Sequence, residues 1–285
     1  MINVLVTGAA GQLGSEIRRL SSAREYNFFF TDVADLDILS YEAVRSYISE
    51  KSIDVVVNCA AYTAVDKAEE DLLSADMINN IGVKNIADAC HANDATLIHI
   101  STDYVYDGTK HIPYIETDIT NPLSVYGKTK LAGEQAVWVS KCKSIIIRTA
   151  WLYSGYGNNF VKTICRVGSE RGEMRIIFDQ IGTPTNAEDL ACAILDIIPQ
   201  ILAEPRHGEI FHYSNEGVAS WYDFAQIITK TFGIDCKIIP IESSEYQQLA
   251  VRPLYSVLNK VRIKTEFGLS IPHWQESLVR LKNRR

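Results

Sequence analysis

Nowhere in the chain do two cysteines stand two residues apart. The six present, at positions 59, 90, 142, 165, 192 and 236, are scattered without a histidine companion at ligand spacing. That pattern excludes zinc ribbons and fingers and describes reduced, mostly buried thiols. The histidines, at 91, 99, 111, 207, 212 and 273, are equally dispersed, so no metal site is expected. No stretch approaches the roughly 20 apolar residues that cross a bilayer. Met1 leads straight into "INVLVTG", without a basic n-region or a small-residue cleavage site. No membrane partner and a cytoplasmic location are therefore expected. Basic residues are the minority: 28 Lys and Arg against 35 Asp and Glu leave a formal net charge of −7. This argues against nucleic acid as a partner, while a local patch can still meet a small anion. Internal repeats and low-complexity tracts are also missing.

What is present is a large apolar reserve. Hydrophobic residues make up 47% of 285 residues, with both charge signs interspersed, enough for one sizeable body with an appended lobe. "INVLVT", "NFFFTD", "DVVVNCA", "TLIHIST" and "SIIIRTA" are nearly continuous apolar runs rich in Val, Ile and Phe. Strands buried on both faces look like this. Between them, "GSEIRRLSS", "SYEAVRSYISE", "SADMINNIGVKNIADACHA" and "SVYGKTKLAGEQAVWVS" carry apolar residues at helical spacing, with Ser40, Ser74 and Ser124 as expected N-caps. The alternation predicts an α/β fold, a doubly wound parallel sheet of the Rossmann kind, over residues 1–150. Residues 151–285 lose the rhythm and are expected to form mainly a smaller C-terminal substrate lobe, with some segments returning to the sheet.

"TGAAGQLG" follows the first apolar run and opens the first helical pattern. Gly8 permits a tight turn, Gly11 admits a pyrophosphate close to the backbone, and Gly14 lets the helix pack on the strand. Asp32 ends the second run, eighteen residues after Gly14, placed to meet an adenosine ribose, with Asp37 and Ile38 near the adenine. Asp32 by itself favours NADH over NADPH. Arg18 or Arg19 can offset its charge against a 2′-phosphate, so the preference stays open.

In "YGKTK", Tyr126 and Lys130 stand at i and i+4, on one face of a helix. Alone, such a pair is usually an ordinary exposed couple. Beside the glycine turn and the "STDYVYDG" that leaves the fourth run, it reads as a proton-transfer device. A nearby ammonium lowers a phenol from its usual pKa of about 10. Carbonyl reduction needs hydride on one side and a proton on the other, and Tyr126 can supply the proton. Thr102 can hydrogen-bond the substrate oxygen, and Asp103 can accept from a sugar hydroxyl.

These motifs, in this order and spacing, resemble the extended short-chain dehydrogenase/reductase family. The likeness continues through "NCAAYTAVDKAE", "NPLSVYGKTKLAGE", "RTAWLYSGYGNNFV", "DQIGTPT", "SWYDFAQII" and "RPLYSVL", which are similar to its keto-sugar reductases. It implies reduction by NADPH or NADH of the C4 keto group of a nucleotide-sugar substrate, dTDP-4-dehydro-6-deoxy-L-mannose. It implies Tyr126 as proton donor, Lys130 as cofactor ligand and Thr102 and Asp103 as substrate contacts. Gly11, Gln12 and Leu13 would meet the pyrophosphate, and Ala61, Tyr62 and Thr63 would line the cofactor. Trp151 would pack on the sugar or serve as a core Trp. Asn79 has a structural or relay role, and Arg252 meets a diphosphate or forms a surface salt bridge. A homodimer is compatible with the family. Some members use Mg²⁺ in dimerisation, and Glu16 lies where one such acid falls, but no metal is predicted. Epimerases usually carry Phe-Ile where this chain has Gln12-Leu13, and dehydratases a Glu where it has Tyr104. A third alternative is a non-catalytic role like that of the regulatory subunit of methionine adenosyltransferase, against which an intact Tyr126, Lys130, Thr102 and Trp151 set weighs.

Overall fold

The computed structural model describes residues 1–284. Five strands of the first half, β1 (Ile2–Thr7), β2 (Tyr26–Thr31), β3 (Val55–Asn58), β4 (Thr96–Thr102) and β5 (Lys143–Thr149), share one sheet with a late strand, Glu209–His212. The order is Glu209–His212, β5, β4, β3, β1, β2, and every pairing is parallel.

The apolar runs are continuous because both faces are covered. Val4, Val6, Val55, Val57, Ile98, Ile145 and Ile147 point to one side, against Leu13 and Ile17 of helix Gln12–Leu20 and Leu190, Ile194 and Ile198 of helix Ala187–Ala203. The alternate residues Leu5, Val56, Leu97 and Ile146 meet Val44 and Ile48 of helix Tyr41–Glu50, and Ile86 and Cys90 of helix Val83–Ala92. Each such side chain contributes about 1.5–3 kcal/mol by leaving water.

A second core gathers Tyr153, Val161, Ile164, Phe224, Ile228, Trp274 and Leu278 beyond the ends of the sheet strands. The second half therefore serves both cores: helix Ala187–Ala203 and strand Glu209–His212 lie on the sheet, while the segments around them build the smaller unit. The strand Glu209–His212 falls in a stretch to which the sequence assigns no element, since only Ile210 and Phe211 mark it between the turn at Gly208 and the polar stretch beyond.

Ser40 and Ser124 cap their helices, accepting from the amides of Ala43 and Gly127 at 3.3 and 3.2 Å. Ser74 does not. Its amide donates to the Asp71 carboxylate at 3.3 Å, because a carboxylate three residues earlier outcompetes the hydroxyl for the free N–H groups. The single helix expected there is three: Leu72–Asp76, a π-helical turn Met77–Gly82 and Val83–Ala92. The turn presses its backbone on helix Val125–Ser140 at Gly133, where a Cβ would stand 2.2 Å from the Asn79 carbonyl oxygen. No side-chain rotation relieves that contact. Gly133→Ala is expected to cost about 1–3 kcal/mol, read as a lower denaturant midpoint with an unchanged slope.

Candidate active site

The parallel strands all run toward one edge of the sheet, and a cavity of about 610 Å³ opens at their carboxyl ends. Its floor at β1 is the glycine turn. Gly8 has φ +62°, and a Cβ on it would stand 2.6 Å from the Ala60 amide nitrogen; a Cβ on Gly14 would stand 2.6 Å from Ala9 Cα. Both positions thus require glycine. Gly11 is the N-cap of helix Gln12–Leu20 and gives it no side-chain hydrogen bond, so the first helical amides face the cavity with their positive end outward. Such a cradle can hold a dinucleotide diphosphate. Gln12 and Leu13 complete this wall, and Ala61 and Thr63 border it after β3.

The opposite wall comes from β4, β5 and the helix Val125–Ser140. Thr102, Asp103, Tyr126, Lys130 and Trp151 all line the cavity. Thr102 Oγ1 donates to Asp103 Oδ1 at 3.1 Å and accepts from the Tyr104 amide at 3.3 Å. The Tyr126 phenol, buried, pairs with Thr102, giving a phenol–hydroxyl–carboxylate chain. Burial pushes the phenol up to about 12, with Thr102 opposing and the Asp103 charge reinforcing. Lys130 is also buried and donates from Nζ to the Ile100 carbonyl at 2.6 Å. Burial draws it down to about 8, against the charges of Glu134 and Cys59. The direct lowering of Tyr126 by Lys130, expected from the spacing, is absent from this geometry: each group takes a different neutral partner, and desolvation dominates both.

Asp32 stands outside the cavity. Its oxygens accept from the amides of Ala10 and Val33 at 3.0 and 2.8 Å, tying the glycine turn to the end of β2. Asp37 accepts from the Leu39 amide at 2.9 Å, and Ile38 lies where a Cβ on Gly82 would fall. Tyr62 also lies off the cavity wall. Its backbone is clamped by Asn79, which accepts from the Tyr62 amide at 2.9 Å and donates to the Tyr62 carbonyl and to Thr129 Oγ1, each at 3.1 Å. Asn79 thus fixes the loop after β3 to the Tyr126 helix. Arg252 forms a two-pronged pair with Asp66 at 3.0 and 2.5 Å, beside a second cavity of about 720 Å³ that includes Gln180, Ser243 and Gln248.

Several wall residues escape a reading of the sequence. Asn159 donates to Gln12 Oε1 at 3.0 Å, closing the "GYGNN" loop onto the glycine turn. Trp221 stacks on Trp151 with ring centroids 3.5 Å apart and planes 6° from parallel. Trp151 itself has φ 48°, a strained backbone for a bulky residue, and its ring lies where a Cβ on Gly182 would stand, 2.6 Å from Cε2. The only local hint of Trp221 is its place directly after the capping Ser220.

This sheet order, glycine turn and Tyr-x-x-x-Lys wall define an extended short-chain dehydrogenase/reductase. A family model described as the RmlD substrate binding domain matches residues 2–285, and the chain belongs to that family. It is similar to the dTDP-4-dehydrorhamnose reductase of Aggregatibacter actinomycetemcomitans, at 38% identity over 290 residues covering 99% of each chain. Among solved structures, a dTDP-4-dehydrorhamnose reductase from Clostridium acetobutylicum superposes with a TM-score of 0.94 at 43% identity, covering 99% of both chains. The dTDP-4-dehydrorhamnose reductase of Bacillus anthracis, in complex with NADP, gives 0.94 at 37% identity over 100% of both.

Asp103 Oδ2 and Thr149 Oγ1, both of the cavity wall, are buried without hydrogen-bond partners. Burial raises the Asp103 carboxyl from 3.8 to about 6, opposed by Ser256 and Thr102. Its folded-state value exceeds the unfolded one, so the folded protein holds a proton that the unfolded chain releases, and stability falls as pH rises from about 4 to 6. Asp103→Asn should therefore raise the melting temperature at pH 7, the gain shrinking to nothing below about pH 4.

Proposed function

We propose that the protein reduces the C4 keto group of dTDP-4-dehydro-6-deoxy-L-mannose to give dTDP-L-rhamnose, with NADPH or NADH. The observation that carries this reading is the meeting of Tyr126, Thr102 and Lys130 in one cavity that begins at the N-terminus of helix Gln12–Leu20. The full-length likeness to reductases of that name supports it.

A bound nicotinamide supplies the hydride. Gly8, Gly11, Gln12, Leu13 and Gly14 would hold its diphosphate, Ala61 and Thr63 would flank it, and Lys130 would reach its ribose. Asp32 serves the adenosine end through the turn that it ties together, with Asp37 and Ile38 beyond. With substrate bound, Thr102 turns its hydroxyl proton from Asp103 to the keto oxygen, and Tyr126 gives up its proton as that oxygen becomes an alkoxide. A phenol held near 12 stays protonated until the alkoxide, a far stronger base, forms. Trp151, braced by Trp221, presents an apolar wall to the deoxy sugar, and Asp103 accepts from a sugar hydroxyl. Arg252, held by Asp66 at the second cavity, would meet the nucleotide's diphosphate.

Oxidation of NADPH and NADH, followed by absorbance with the keto sugar generated in place, tests the reading. Wild type is expected to turn over, and Tyr126→Phe to lose at least about 100-fold in kcat; equal turnover by the two would sink it.

The cofactor preference rests on Arg18, exposed nearly two turns along helix Gln12–Leu20 with its guanidinium 4.5 Å from the Phe30 ring centre, near the end of β2. That position suits a 2′-phosphate and offsets the Asp32 charge. Arg18→Ala is expected to raise KM for NADPH several-fold while leaving KM for NADH within twofold, a split that steady-state kinetics with both cofactors reads directly.

A further inference from the structure

Glu134 stands one turn beyond Lys130 on the same helix, and its side chain is almost fully buried. Its carboxylate accepts from Ser101 Oγ on β4 and from Arg148 on β5, through Nε at 2.9 and 3.2 Å and through Nη2 at 2.6 Å. Ile100 accepts from Lys130, and the next residue, Ser101, donates to Glu134. Successive residues of one strand thus grip successive turns of the helix. Arg148 continues the chain: Nη1 donates to the Tyr106 hydroxyl at 2.7 Å, and that hydroxyl lies 2.8 Å from His212 Nε2 on the late sheet strand.

Each of the three elements that meet at Glu134 carries a wall residue. The helix brings Tyr126 and Lys130, β4 runs into Thr102 and Asp103, and β5 runs into Thr149 and Trp151. A buried ion pair is a poor device for stability, since desolvation offsets most of its attraction. It is a good device for holding three backbones in one geometry, because each carboxylate oxygen must keep its partners.

We propose that Glu134 is a positioning residue for the reductive site: clamped by Ser101 and Arg148, it fixes the helical turn that seats the Lys130 ammonium on the neighbouring Ile100 carbonyl, and it places a negative charge one turn from that ammonium. The proposal rests on the reductase reading above. The groups around Lys130 are Tyr126 and Glu134 on its own helix, Cys59 after β3, His99 and Asp103 on and after β4, and Arg148 with Tyr106 behind Glu134. Burial sends Cys59 and Tyr126 up to about 12 and His99 down, and leaves Asp103 at about 6. Tyr106 is pushed up as well, and Arg148 is held above its ordinary value. Between pH 7 and 10, Lys130, near 8, is the member that changes charge. Its folded value lies below the ordinary one, and the negative Glu134 keeps it from falling further.

The test is the alkaline limb of two pH profiles, NADPH binding by fluorescence titration and kcat/KM, for wild type, Glu134→Gln, Glu134→Asp and Glu134→Gln/Arg148→Met. Lys130→Met serves as the control that removes the limb. Glu134→Gln should move both limbs toward lower pH by about one unit, since the buried Lys130 then loses the negative charge one turn away. Glu134→Asp keeps the charge and should leave the limbs in place while lowering kcat. The double variant exchanges the pair for neutral groups of similar volume, keeps the fold if the single change does not, and should place the limb between those of Glu134→Gln and wild type. A binding limb that superimposes on wild type in Glu134→Gln, or in the double variant should the single one not fold, overturns the proposal. So does a limb displaced equally by Glu134→Asp and Glu134→Gln. If wild type fails to reduce the keto sugar, the reductase reading falls, and the binding limb alone still decides the role of Glu134.

Discussion

Everything in the candidate site depends on parallel register. Thr7 lies beside Asn58 and Asn58 beside His99, while β4 and β5 run on together to Thr102 and Thr149, so four parallel strands run out of hydrogen-bonding partners at the same end of the sheet, in two steps. Beyond that end the chain must turn, and the turns become the walls. A parallel sheet needs both faces covered, which fixes where helices begin: the one after β1 starts at the cavity, with its unpaired amides toward it.

The second feature is how much ionisable material has been taken out of water. Asp103, Lys130, Glu134, Arg148 and Tyr126 are all buried within the sheet's carboxyl end. Desolvation moves Asp103 and Tyr126 up and Lys130 down. None of these displacements favours folding. They concentrate in the same place as the strained Trp151 backbone and the π-helical turn around Asn79, two distortions of the kind that gather at working sites.

Much of this was legible in the sequence, and the division between what was and what was not has a physical origin. β1, β3, β4 and β5 were readable because burial on both faces leaves no room for polar interruption. The glycine turn was readable because backbone clearance there is a local demand, met at Gly8 and Gly14 by the absence of a side chain. The Tyr126–Lys130 proximity follows from helical periodicity alone. What could not be read depends on distant contacts: Trp221 reaches Trp151 across 70 residues, Asn159 reaches Gln12 across 147, and strand Glu209–His212 exists because β5 offers it an edge. Asp32 was visible as an acid ending a strand, but its engagement with the Ala10 and Val33 amides was not. Competition was equally invisible: Asp71 displaces Ser74 as cap, and Thr102 and Ile100, not each other, are the partners of Tyr126 and Lys130.

The late return of the chain to the sheet has a consequence for synthesis. Helix Ala187–Ala203 covers the Val4, Val57 and Ile147 face, and strand Glu209–His212 closes the free edge of β5. Until about residue 212 has left the ribosome, the first 150 residues present an apolar face only partly covered by helix Gln12–Leu20 and an open strand edge, two features that readily recruit a neighbouring chain. The sheet is thus sealed on that face and that edge only late in synthesis, an order that the finished fold no longer reveals.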